Sequence, residues 1–155
     1  MKANSAITTI EFKSSPPLQG CLYQATSIQS DDEDEANDCA VVATSIAFDE
    51  DYKKIHAAFA RAGRKRRHRT SRLITHIVWR LLRMRSFKCA VQISDPYQPN
   101  GSRYTVRTIG KAFPKGRFLV FVVGHIFALV DGVVEDWSRG RLFRVIDIWE
   151  VIDEE

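Results

Sequence analysis

Three residues far apart in the chain are of the types that nucleophilic attack on a carbonyl needs: Cys39, His125 and Asp136. A cysteine attacks as its thiolate. It needs surroundings that favour the anion, a base or ion-pair partner, and donors for the oxyanion that forms on the substrate. Cys39 opens the apolar segment CAVVATSIAF, directly after Asn37 and Asp38, either of which can cap a helix. A helix N-terminus favours an anion through its free N–H groups and its dipole, and the backbone N–H of a cysteine there can itself donate to an oxyanion. His125 lies in FLVFVVGHIFALVDGVVEDW, Phe118 to Trp137, the most apolar stretch of the sequence. Asp131-Gly132 in its middle is a hairpin signal, because both residues tolerate the positive φ of a type I′ turn. With those two as the turn, Val130 faces Val133 and Phe127 faces Asp136. His125 then becomes a diagonal neighbour of Asp136 at about 7 Å, within reach of an imidazole–carboxylate hydrogen bond. Asp136 would orient the ring and fix its tautomer. The plainer reading makes His125 a satisfied core histidine and Cys39 a small buried residue.

The remaining pattern supplies the elements that must place these residues. Residues 4–12 can form a strand that Pro16-Pro17 ends, and Leu18 to Ile28 a second short strand. Ser30 to Ala36 reads as an acidic loop, part of the run from 30 to 38. The Cys39 helix is apolar all round, so it should be buried as the central helix. Asp49 starts a second helix with Tyr52, Ile55 and Phe59 on one face and Gly63 as its stop. Thr70 or Ser71 can cap a third, with a stripe of Leu73, Ile74, Ile77, Val78, Leu81 and Leu82. Phe87 to Ile93 and Arg103 to Ile109 read as strands, and Asp95 to Gly101 as a loop. Pro114 to Gly116 is a turn, the central hairpin follows, Ser138 to Gly140 turns again, and Leu142 to Ile152 is a last strand. Helices first and antiparallel strands last predict an α+β fold.

Length and composition bound the rest. At 155 residues, 45% apolar and 27% charged, the chain is expected to form a single domain over 1–155. No apolar run approaches the roughly 20 residues of a membrane-spanning helix, and the first residues lack the apolar core of a signal peptide. Cys21, Cys39 and Cys89 are an odd set without metal-ligand spacing, so reduced thiols, a cytoplasmic setting, no cofactor and no metal are expected. The net charge of +4 is unevenly spread, since no Asp or Glu occurs from Tyr52 to Ser94. That segment reads as a basic helix-loop-helix over 52–88, with Arg64, Lys65, Arg66, Arg67 and Arg69 on an exposed link. Such a link is by default a solvated face. It can also neutralise phosphates of a nucleic acid or dock an acidic protein. The acidic run could instead pair with it inside the molecule. No helix-turn-helix signature, RNA-recognition motif or Gly-rich phosphate loop is present.

The order Cys, His, Asp, with helix before sheet, resembles that of papain-like cysteine peptidases. The segments NDCAVVATSIAFDEDYKKIHAAFARAGRK (Asn37 to Lys65) and FPKGRFLVFVVGHIFALVDGVVEDW (Phe113 to Trp137) are similar to small phage and bacterial proteins of that superfamily. They cover about a third of the chain. The resemblance implies Cys39 as nucleophile, His125 as base and Asp136 as third member. It also implies a Gln several residues before the nucleophile. Gln29 and Gln24 stand ten and fifteen residues before Cys39, spacings that do not match, which leaves Asn37 as the candidate oxyanion donor or as a helix cap only. The expected function is a thiol hydrolase of an amide, peptide or isopeptide bond in a protein or peptide substrate. Deamidation and acyl transfer are open to the same fold, and a role in a host cytoplasm fits a phage-like protein. The alternative is a non-catalytic binding protein using the Arg-rich region.

Overall fold

The computed structural model describes residues 21–93 and 97–153. The strand expected over residues 4–12 and its Pro16-Pro17 stop lie outside the described residues, as does the start of the loop after residue 93. In chain order the elements are α1 (Cys21–Asp32), α2 (Cys39–Phe48), α3 (Tyr52–Arg61), α4 (Arg72–Ser86), β1 (Lys88–Gln92), α5 (Val106–Ala112), β2 (Arg117–Val122), β3 (His125–Val130), β4 (Val133–Glu135) and β5 (Val145–Asp153). The strands form one sheet of order β1-β5-β2-β3-β4 with antiparallel neighbours throughout. The fold is therefore α+β.

The sheet is covered on both faces, and the sequence shows why its centre reads as an unbroken apolar run. Leu119, Phe121, Ile126, Ala128 and Val130 pack with α2, α3 and α4 in one cluster. Phe118, Val120, Val122, Phe127 and Leu129 point the other way, into a cluster with Val106 and Ile109 of α5 and Val145 and Ile148 of β5. Alternation along a strand is still present, but both sides need apolar residues, so it carries no polar beat. Helix α2 is the element around which the first cluster forms: from Ala40 to Phe48 every residue is buried, as its all-apolar circumference requires.

Several elements differ from their sequence expectation, each for an identifiable reason. The stretch from Leu18 to Ile28 is no strand where described: Cys21 onward belongs to α1, which runs on through Ser30 to Asp32, so the acidic segment is a loop only from Glu33. This helix buries only Ser30, and so lacks an apolar stripe to betray it. The residues from Arg103 to Ile109 are no strand either, because Thr105 and Thr108 start α5: the Thr105 N–H donates to Thr108 Oγ1 at 3.0 Å. The same helix packs on the turn between β3 and β4. A Cβ at Gly110 would lie 2.3 Å from the Gly132 carbonyl oxygen, so only glycine permits the approach. The buried stripe of α4 is Thr75, Val78, Trp79 and Leu82, whereas Leu73 is 70% exposed. Trp79 sets that face, donating its indole N–H to Thr44 Oγ1 at 3.0 Å across α2. Helix α3 starts at Tyr52 after Asp51, while Asp49 closes α2 in the left-handed region. The last strand begins at Val145, after a loop containing Leu142.

The hairpin that carries the site is built as its turn chemistry demands. Val130 pairs with Val133 across Asp131 and Gly132, both at positive φ. The apolar run before it is broken once more: Val122 pairs with His125 across Val123-Gly124, with Gly124 at φ +71°. His125 is thus the first residue of β3, delivered by a tight turn at the rim of the sheet.

Candidate active site

Cys39 is the first residue of α2 and is half-buried. The residue before it, Asp38, occupies the cap position without a side-chain cap bond. Its carboxylate accepts instead from Ser30 Oγ and Tyr52 Oη, both at 2.7 Å. Burial, then the Asp38 carboxylate, pushes the Tyr52 phenol far above its ordinary range, so Tyr52 stays a donor. Asn37 turns the chain at φ +56° and donates its Nδ2 to the Arg67 carbonyl at 3.2 Å. The helix end is left free of a side-chain cap from Asp38 just where the thiol sits, and a helix end in that condition favours an anion.

His125 Nε2 donates to Asp136 Oδ2 at 2.7 Å. Cys39 lines both the cleft and the groove together with His125, and the thiol helps to raise the imidazole. With Nε2 committed to Asp136, Nδ1 is the nitrogen left to face the thiol. Burial pushes the imidazole down, but Asp136 and then Cys39 outweigh it and hold His125 up at about 9. Asp136 is itself fixed: its Oδ2 accepts from the Ser138 N–H at 3.0 Å and from Ser138 Oγ. Ser138 is fully buried. The Trp137 ring lies 5.0 Å from the His125 ring, centroid to centroid, and is 45% exposed. It covers the imidazole from the solvent side rather than joining the core.

The three residues meet on the wall of a cleft of about 440 Å³, which Tyr23, Asn37, Asp38, Glu135, Trp137 and Phe143 also line. Glu135, at the end of β4, accepts the Tyr23 N–H at 2.9 Å and so ties the first turn of α1 to the sheet beside the site. Burial, then the charge of Asp136, pushes the Tyr23 phenol upward, which leaves a neutral donor at the cleft wall. A smaller groove of about 190 Å³ also has Cys39 and His125 in its wall. A thiol beside an imidazole, a carboxylate that orients the ring and backbone N–H groups at the helix end are parts that nucleophilic acyl transfer uses.

The basic link is not a uniformly exposed face. Arg64 is 6% exposed, and its Nη atoms reach the buried Glu35 carboxylate at 2.9 and 3.0 Å. His56 and the Arg67 N–H also bond Glu35. Burial pushes that carboxyl up, but Arg64, His56 and the Arg67 N–H together hold it down at about 2. Arg67 pairs with Asp34 at 3.1 Å, and Arg66 donates to the Glu33 carbonyl. Acidic and basic segments are thereby joined within the molecule. Lys65 is exposed, and Arg69 reaches back to the site, lining both the cleft and the groove.

Ser138, Tyr23 and Glu135 were not legible as site residues. For Ser138 the signal was local: Asp-Trp-Ser places a hydroxyl and an N–H two residues after a carboxylate, the spacing at which Asp side chains accept local bonds. The others arrive through tertiary packing. Among the described residues no group of His, Cys, Asp and Glu could hold a metal ion, and no helix is long and apolar enough to cross a membrane. Compared with known proteins, the chain matches no family model, no curated protein and no solved structure.

Proposed function

We propose that the chain is a papain-like thiol hydrolase acting on an amide or peptide bond through Cys39, His125 and Asp136. One observation carries the reading: Cys39 heads a buried helix and shares a cleft wall with a histidine that a buried carboxylate holds. In the reaction the Cys39 thiolate attacks the carbonyl carbon, and the electron pair moves to the carbonyl oxygen. N–H groups at the start of α2 stabilise that oxyanion. The His125 imidazolium gives its proton to the departing amine as the C–N bond breaks. Water, giving a proton to His125, then attacks the thioester, and the acid leaves as Cys39 is restored. Asp136 holds the ring through both transfers, and Ser138 holds Asp136.

The alternative, a binding protein using the Arg-rich region for nucleic acid or an acidic partner, draws less support. Arg64, Arg66 and Arg67 are engaged with the acidic segment of the same chain. The test is labelling with a thiol-directed acyl probe. Cys21 is exposed and serves as the internal comparison in the same chain. The hydrolase reading expects labelling of Cys39 well ahead of Cys21, lost in His125→Ala. Preferential labelling of Cys21 would count against it.

A further inference from the structure

We propose that the groove lined by Arg69 and Arg72 beside Cys39 is a carboxylate subsite, so that the substrate is an acidic peptide with Asp or Glu next to the bond attacked. The inference rests on the hydrolase reading and names the substrate class of that same site. Arg69, Thr70 and Arg72 line the groove with apolar Phe121, Ile126 and Ile146, and with Cys39 and His125. Among the described residues no carboxylate lines it, whereas Asp38, Glu135 and Asp136 all line the larger cleft. Arg69 borders both, but only in the groove does it stand with Arg72 and no carboxylate.

The cations of the groove are open to a ligand. Arg64 and Arg67 are ion-paired with Glu35 and Asp34 and Arg66 donates to the Glu33 carbonyl, whereas Arg69 has no ion-pair partner among the described residues. Its Nη1 lies 3.5 Å from where a Cβ on Gly124 would be, which places the guanidinium over the turn that delivers His125. Arg72 sits over the Phe121 ring, 4.2 Å from its centroid, and gives one nitrogen to Asp147 at 3.3 Å. Asp147 has nearer partners in Gln92 at 2.8 Å and the Trp149 indole at 3.0 Å, so most of the Arg72 fork remains unclaimed. Thr70 Oγ1, buried in the wall, has no hydrogen-bond partner among the described residues. A guanidinium fork matches a carboxylate in shape as well as charge. The groove has the volume of a single side chain, and a thiolate attacks acyl carbon, which together favour an acidic peptide over a nucleic acid.

The test measures protection of Cys39 from iodoacetamide by two matched tripeptides, acetyl-Ala-Glu-Ala-amide and acetyl-Ala-Gln-Ala-amide. Protection does not depend on which side of the bond the groove serves. The expected result is rapid alkylation of Cys39, with the Glu peptide protecting at about one-tenth the concentration of the Gln peptide, a difference of one charge-assisted contact. That preference disappears in Arg69→Gln, returns in part in Arg69→Lys, and weakens with salt. Rapid alkylation with equal protection, or none from either peptide, overturns the subsite and leaves the hydrolase reading standing. Alkylation no faster than in the unfolded chain overturns the hydrolase reading, and the subsite falls with it.

Discussion

At the scale of single residues, the site is a chain of donors ending in one buried carboxylate. Ser138 fixes Asp136, Asp136 fixes His125, and His125 meets Cys39. Two predictions belong here. In Asp136→Asn the imidazolium loses its charged acceptor, so the His125 titration followed by NMR should move down from about 9 toward the ordinary histidine value of 6.5. Acyl transfer should fall on the order of a hundredfold or more, the usual contribution of a positioned acid–base group. An unmoved titration would show that the carboxylate does not govern the ring. The second prediction concerns stability. His125 is raised in the folded state, so its protonated form adds stability fully below 6.5, and that contribution is lost as pH rises through about 9. Urea denaturation at pH 6 and pH 10 should show this loss in the native chain and not in His125→Ala.

At the scale of elements, the loop before Cys39 is anchored by the buried Glu35–Arg64 pair, with His56 and the Arg67 N–H completing it. Removing one partner leaves the other charge buried without compensation. Arg64→Ala should therefore cost about 3–5 kcal/mol in denaturant unfolding, far more than Arg67→Ala, whose exposed pair with Asp34 is worth about 1 kcal/mol at most. Glu35 is depressed from an ordinary 4.5 to about 2, so its contribution is present above 4.5 and is lost as pH falls through 2. Elements were legible where one physical signal decided them. The all-apolar CAVVATSIAF and the Asp131-Gly132 turn left no alternative, and the imidazole–carboxylate contact follows from that turn. Helix α1 was missed because it buries almost nothing, and α5 because tyrosine, valine and threonine in alternation favour a strand until Thr105 and Thr108 bond each other. The true face of α4 was hidden by Thr75, a polar residue inside the buried stripe. Thr108→Ala, which removes the hydroxyl that accepts the Thr105 N–H, should lower stability by about 1 kcal/mol, the worth of a helix cap; no change in the unfolding midpoint would remove that account of α5.

At the scale of the whole molecule, one sheet buried on both faces holds the histidine rim of β3 against the cysteine end of α2. The charge asymmetry of the sequence becomes an internal clasp between the acidic segment and the basic link, with Arg69 turned to the site. The clasp was foreseeable as a possibility from charge alone, but the burial of Arg64 was not, because nothing local to RKRRHR separates its first residue from the rest. The central claim is that this architecture makes Cys39 and His125 one reactive pair. Its most direct measurement is iodoacetamide alkylation of the native protein from pH 4 to 9, with the modified cysteine located by mass spectrometry and His125→Ala as control. The account predicts rapid modification of Cys39 well below the ordinary thiol range near 8.5, ahead of exposed Cys21, and loss of that advantage in the control. A midpoint for Cys39 at the ordinary thiol value, unchanged by His125→Ala, would contradict it.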